Sequence, residues 1–115
     1  MRKWAYINKP FKDDDIYIYK IMIYQTGTDG TYVFLYNSIE SQLCTTDEWC
    51  ETINEALEKW SPLIASSGWI EIEDPLKDCQ HDAILPIRIK GRDTENPQWG
   101  KYGILQNGIW IDYTE

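Results

Sequence analysis

Between Asp74 and Tyr102 the chain gathers the residue types that can do chemistry: Cys79, the single histidine His81, Asp82, and the cations Arg88, Lys90 and Arg92. Three of the five prolines (Pro75, Pro86, Pro97) fall in the same stretch, which reads as a shaped, polar-lined loop system held on strands. Cys79 and His81 could serve as nucleophile and base, because a thiolate is favoured beside a histidine and cationic groups. Side chains at i and i+2 meet only across a turn, however, and no oxyanion-hole motif accompanies them. Cys44, Cys50, Cys79 and His81 could supply a tetrahedral zinc set. Their spacings, C-x5-C and C-x-H, differ from the usual knuckles, and no metal or other cofactor is expected. Arg88, Lys90 and Arg92 could form an anion site through forked guanidinium contacts, unless Asp74, Asp78, Asp82 and Asp93 neutralise them. The reading that accounts for most of these residues is internal. Asp74 and Asp78 bond the amides of their own turns, while Gln80 and a buried His81 satisfy loop amides and carbonyls. Trp99 and Gly100 then pack a turn against the sheet, and Cys79, His81 and Asp82 remain the candidates for any catalysis.

Three strings carry a resemblance: Asp-Pro-Leu-x-x-Cys-Gln-His-Asp (74–82), Pro-Ile-Arg-x-Lys-Gly-Arg-Asp (86–93) and Pro-Gln-Trp-Gly-Lys-Tyr (97–102). Together they resemble a small family of bacterial cytosolic proteins without an assigned activity. The likeness covers the C-terminal half distinctly, and the aromatic hairpin and helix more loosely. It implies a common fold and no mechanism.

The elements that must position these residues are strands and one helix. Residues 3–8 form a short first strand, ended by Lys9-Pro10, and an acidic turn from Asp13 to Asp15 opens the strongest strand, Ile16 to Gln25. Both faces of that strand are apolar or aromatic, interrupted by Lys20, so it is covered on both sides or has one face against another subunit. Thr26 to Gly30 is a hairpin loop, and Thr31 to Tyr36 returns antiparallel. Thr45 with Glu48 matches a capping box that starts a helix. At 100° per residue that helix carries Trp49, Ile53, Ala56, Leu57 and Trp60 on one side, and Glu48, Glu51, Glu55 and Glu58 on the other. Ser61-Pro62 ends it. Trp69 to Glu73 and Leu85 to Lys90 both alternate, with Ile70, Ile72, Leu85, Ile87 and Ile89 inward. If they pair, Glu71 and Glu73 face Arg88 and Lys90 across the strands. Asn107-Gly108 is a hairpin dipeptide joining Tyr102–Gln106 to Ile109–Tyr113. The expectation is one α+β domain over residues 1–115, with an antiparallel sheet of about six to seven strands and one amphipathic helix packed on one face.

Net charge is −8, which disfavours nucleic acid and anionic lipid and points to a basic protein partner. The charge is uneven: residues 40–73 carry eight acidic residues and one basic, whereas 74–102 balance five against five. With six tryptophans and eight tyrosines, aromatic anchors for an interface are abundant. Three cysteines argue against a disulfide framework, and no signal-peptide core or membrane-length apolar run is visible, so a cytoplasmic location is expected. These features favour a small acidic protein-binding module of the immunity or antitoxin kind over an enzyme. Glu51, Glu55 and Glu58 supply a negative stripe, Arg88, Lys90, Arg92 and Trp99 are further contact candidates, and a homodimer is compatible. The alternative is a small enzyme or anion-binding protein with its site in the 74–102 loops.

Overall fold

The computed structural model describes residues 1–115 and contains eight strands and one α-helix. In chain order these are β1 (Arg2–Asp13), β2 (Ile16–Gln25), β3 (Thr31–Tyr36), β4 (Thr46–Cys50), α1 (Ile53–Trp60), β5 (Ile70–Ile72), β6 (Ile87–Lys90), β7 (Gln98–Gln106) and β8 (Ile109–Tyr113). The fold is α+β and its strands pair antiparallel, but they divide into two sheets. One has the order β4-β3-β2-β1-β5, the other β6-β7-β8.

The division has a local cause. After β5 the chain crosses the face of the larger sheet, so β5 and β6 are never neighbours. β5 pairs with β1, setting Arg2 opposite Ile72 and Trp4 opposite Ile70, while β6 pairs with β7. Glu71 and Glu73 therefore do not face Arg88 and Lys90. Ile87 and Ile89 point inward as their alternation requires, but Ile70 and Leu85 are exposed.

β2 is covered on both sides within the chain. On one side Ile21 and Ile23 join Ala5, Ile7, Val33 and Leu35 beneath Ala56 and Trp60 of α1. On the other, Met22, Phe34 and Tyr36 are packed by Trp4, Tyr24, Ile72, Cys44 and Ile84. β1 does not stop at Pro10. It runs on to Asp13, with its pairing to β2 irregular between Tyr6 and Phe11. A proline that cannot donate to the ladder is tolerated at such an irregularity. The acidic turn falls where its residues predict, with Asp14 at φ 53°. The β7–β8 hairpin turns through Asn107 and Gly108, both at positive φ, closed by Gln106 opposite Ile109.

The helix begins later than the capping box at Thr45 predicts. Thr46 to Cys50 add an edge strand to β3 instead, in register from Thr46–Leu35 to Cys50–Thr31. The helix takes its N-cap from Thr52, whose hydroxyl accepts from the Glu55 amide at 3.2 Å. Thr52-x-x-Glu55 repeats the Thr45-x-x-Glu48 pattern about two helical turns on, so the period alone does not choose between them. Tertiary contacts do. Trp49 lies over Gly30, where an added Cβ would stand 2.6 Å from its ring, and its indole N–H donates to the Asp29 carbonyl. Glu48 turns toward α1, accepting from the Trp60 indole at 2.9 Å and from Lys59 at 3.0 Å. Trp49 and Glu48 thus leave the helix, and α1 ends at Trp60 with Ser61–Leu63 continuing as a single 3₁₀ turn.

This assignment separates two threonines. Thr52→Ala should lower stability by about 1 kcal/mol through loss of the cap. Thr45→Ala, exposed and without a side-chain hydrogen bond, should stay within about 0.5 kcal/mol of the parent in urea denaturation. Equal effects, or a larger one at Thr45, would refute the later start.

Candidate functional site

The side of the large sheet away from α1 is covered by irregular chain, and irregular chain brings carbonyls that no ladder satisfies. Three side chains of the sheet donate to them. From the start of β1, Arg2 donates through Nε to the Glu73 carbonyl at 2.9 Å, and through Nη1 to those of His81 (3.2 Å) and Ala83 (2.7 Å). From β2, Lys20 donates to the carbonyls of Ile39 and Ser41, with its ammonium 4.9 Å from the centre of the Tyr36 ring. The Tyr36 hydroxyl donates to the Asp82 carbonyl. Only 5% of Arg2 and 2% of Lys20 remain exposed, and burial lowers the pKa of both. The loop is tied again where the Asp82 carboxylate accepts from the Cys44 amide at 2.7 Å and the Gln80 amide donates to Ile87 at 2.7 Å.

Two clefts flank the segment Cys79–Gln80. One, of about 330 Å³, lies between the loop and the aromatic edge of the sheet and brings together His81, Asp82, Arg92, Asp29, Asp47 and Tyr32. The other, of about 340 Å³, has Arg2 in its wall with Ile72, Pro75, Leu76, Ile84 and Leu85. Cys79 and Gln80 border both.

The catalytic candidates meet in the first cleft without forming a nucleophile–base pair. Cys79 is buried, and burial raises its thiol pKa, with Arg88 and Arg2 acting the other way. His81 is exposed. Its ring stands edge-on to Tyr24 at 5.2 Å and makes no hydrogen bond to Cys79 or any other group in the chain. It is therefore not the buried peg that its neighbours suggest; Arg2 fills that role and His81 contributes only its carbonyl. Asp74 and Asp78 do not bond the amides of their own turns either. Asp74 meets the Met1 amino group at 2.7 Å, and Asp78 adopts the left-handed conformation, at φ 65°.

The cysteines stand apart. Cys50 packs on the α1 side of the sheet and Cys44 on the opposite side, and nowhere do three or more His, Cys, Asp or Glu side chains converge as a metal site. Burial, reinforced by the Asp82 carboxylate, raises the Cys44 thiol pKa well above its ordinary value.

The three cations do not converge either. Arg88 lies 3.9 Å from the centre of the Trp110 ring and 3.4 Å from Asp93. Lys90 bonds Asp112 at 2.8 Å, which lowers the pKa of that carboxyl. Arg92 sits apart in the first cleft, 5.9 Å from the ring of Trp99. Trp99 does not pack against the sheet; 70% of it is exposed. Sequence reasoning missed Arg2 and Tyr36 altogether. It noted Lys20 only as an interruption in an apolar strand, which was the one signal available.

No family model matches this chain, and no solved structure matches it. Among curated proteins, the Suppressor of hydroxyurea sensitivity protein 2 of Candida glabrata is 31% identical over 52 residues, a stretch covering 45% of this chain. The match spans about a fifth of that yeast protein. No helix is long and apolar enough to cross a membrane.

If Arg2 and Tyr36 hold the loop and His81 does not, thermal unfolding will rank the variants. Tyr36→Phe leaves the Asp82 carbonyl without its donor and should cost about 1–2 kcal/mol. His81→Ala should leave the melting temperature within about 2 °C of the parent. A large loss at His81 would restore it as the peg.

The same burial gives a pH signature. Folding raises the pKa of the Cys44 and Cys79 thiols and the Tyr36 phenol, so each contributes stability that is complete below its unfolded pKa and lost above it. These three groups make stability fall as pH climbs from about 8.5, and more steeply beyond about 10, while Lys20, whose folded pKa is lowered, offsets part of the fall as pH rises toward its unfolded pKa. Tyr36→Phe should flatten the upper part of that fall in urea midpoints measured between pH 7 and pH 11.

Proposed function

We propose that the protein is a small acidic module, of the immunity or antitoxin kind, that binds a basic protein partner in the cytoplasm. The observation that carries this reading is the state of the carboxylates around α1. Glu51, Glu55 and Glu58 are all exposed, and none takes part in the four ion pairs of the chain. The only cation on the helix, Lys59, is already held by Glu48. Three unpaired carboxylates on a rigid support set up a field that steers and orients a basic partner. Glu48 drops out of the stripe because it is directed inward to Lys59 and Trp60. Elsewhere on the surface, Trp49 is 54% exposed and, with Trp99, supplies the large aromatic surface that interfaces use as anchors. Arg88 and Lys90 have acidic partners of their own, so they favour an anionic ligand less than the sequence suggests.

Affinity purification of the tagged protein from its native host identifies the partner, and association kinetics then test the surface. Replacing Glu51, Glu55 and Glu58 together with Lys should slow association at least tenfold at low salt, a difference that narrows as salt screens the field. Folding stability should change by less than about 1 kcal/mol, since the residues are exposed and unpaired. An unchanged association rate would take this stripe out of the interface.

A further inference from the structure

We propose that the cleft beside Arg2 is a binding site for a small carboxylic acid carried on an apolar body. Arg2 is almost wholly buried, yet no carboxylate lies within ion-pair distance of it. Glu73 offers it only a backbone carbonyl, and the Asp74 carboxylate is turned to the Met1 amino group. Asp74 acts on the guanidinium only from beyond contact distance, and a carboxylate placed directly against it is the natural complement of a guanidinium fork. The fork has an arm to spare. Nε and Nη1 are engaged by three carbonyls, whereas Nη2 donates to nothing in the chain. The side-chain polar atoms both sealed from solvent and unpartnered are Thr31 Oγ1 and Gln42 Oε1, so Nη2 keeps an opening. The cleft of about 340 Å³ that Arg2 lines supplies it.

Glu73 and Asp74 also border the cleft, the Asp74 carboxylate neutralised by the Met1 amino group, and the apolar walls define the body of the ligand. Ile72, Pro75, Ile84 and Pro86 are partly buried, while Leu76 and Leu85 are 52% and 44% exposed along the cleft. An inorganic anion would leave this apolar surface wet, and a neutral hydrocarbon would leave Nη2 without an acceptor. An acid of medium chain length satisfies both, its carboxylate on Nη2 and its tail along the leucines. This site is independent of the acidic stripe made by Glu51, before the helix, and by Glu55 and Glu58 of α1.

Calorimetric titration of the full chain with octanoate, octanamide and acetate tests the assignment. Octanoate should bind saturably at one per chain, with octanamide and acetate each at least tenfold weaker, the ratio expected when a charge-assisted hydrogen bond or the apolar contact is lost. Leu76→Glu places a negative charge at an exposed position on the wall. It should weaken octanoate at least tenfold while the melting temperature stays within about 2 °C of the parent. Arg2→Lys should do the same to binding, but because Arg2 also ties the loop, Leu76→Glu is the variant that decides. No saturable octanoate binding, equal binding of octanamide, or unchanged affinity in Leu76→Glu would overturn the proposal. N-acetyl-alanyl-leucine provides a further arm: binding of that peptide acid without octanoate would overturn the small-acid assignment in favour of a chain terminus.

Discussion

A sheet whose central strand is apolar on both sides has two faces to remove from water, and a helix of eight residues can cover only one. The other face of this sheet is covered by loops, and that choice imposes the constraint on which the structure depends. Helices and strands bring their own hydrogen-bond partners to a buried surface; loops do not. Each carbonyl that the 73–84 and 37–44 segments lay against the sheet needs a donor, and the sheet must provide it from side chains. Arg2, Lys20 and Tyr36 are those donors. They rise from three adjacent strands, β1, β2 and β3, and together they reach the carbonyls of Glu73, His81, Ala83, Ile39, Ser41 and Asp82.

Cations suit this work better than neutral donors because one head group can satisfy several carbonyls, with hydrogen bonds stronger than those of a neutral group. Their burial also changes the outer surface. Arg2 and Lys20 are withdrawn from it, and Lys59, Arg88 and Lys90 stand beside carboxylates. Unpaired acidic groups such as Glu51, Glu55 and Glu58 therefore dominate what an approaching molecule meets.

The parts of this fold legible in the sequence are those decided within a few residues: the acidic turn at Asp14, the Asn107-Gly108 hairpin, the two apolar faces of β2 and the end of α1 before Pro62. What could not be read was decided at long range. The two capping boxes at Thr45 and Thr52 share one helical phase, and only the free edge of β3, together with the fit of Trp49 over Gly30, assigns residues 46–50 to a strand. The alternation in β5 and β6 reveals that each is a strand but not which strand it meets, so their opposite charges suggested a pairing that the crossing loop prevents. At the site the error had the same origin. His81 is the only histidine, yet its side chain faces solvent, whereas Arg2 gives no local sign that it will reach residues 73, 81 and 83.

That hidden role leads to a difference between the two buried cations. The Lys20 ammonium is a compact donor, and it is held by two carbonyls with aromatic rings at 4.9 and 5.9 Å, a set that stabilises a cation with the Glu115 and Glu40 carboxylates acting only from beyond contact. Arg2 has no ring in that arrangement, and its planar head cannot direct all its donors to one side. Two of its nitrogens hold the loop, and the geometry that aims them there carries the third away from the same carbonyls. A residue recruited to fasten the loop therefore also presents a donor at the loop's edge. Structural support and ligand recognition can then reside in one guanidinium, because the fork has more donors than the loop has carbonyls within its reach.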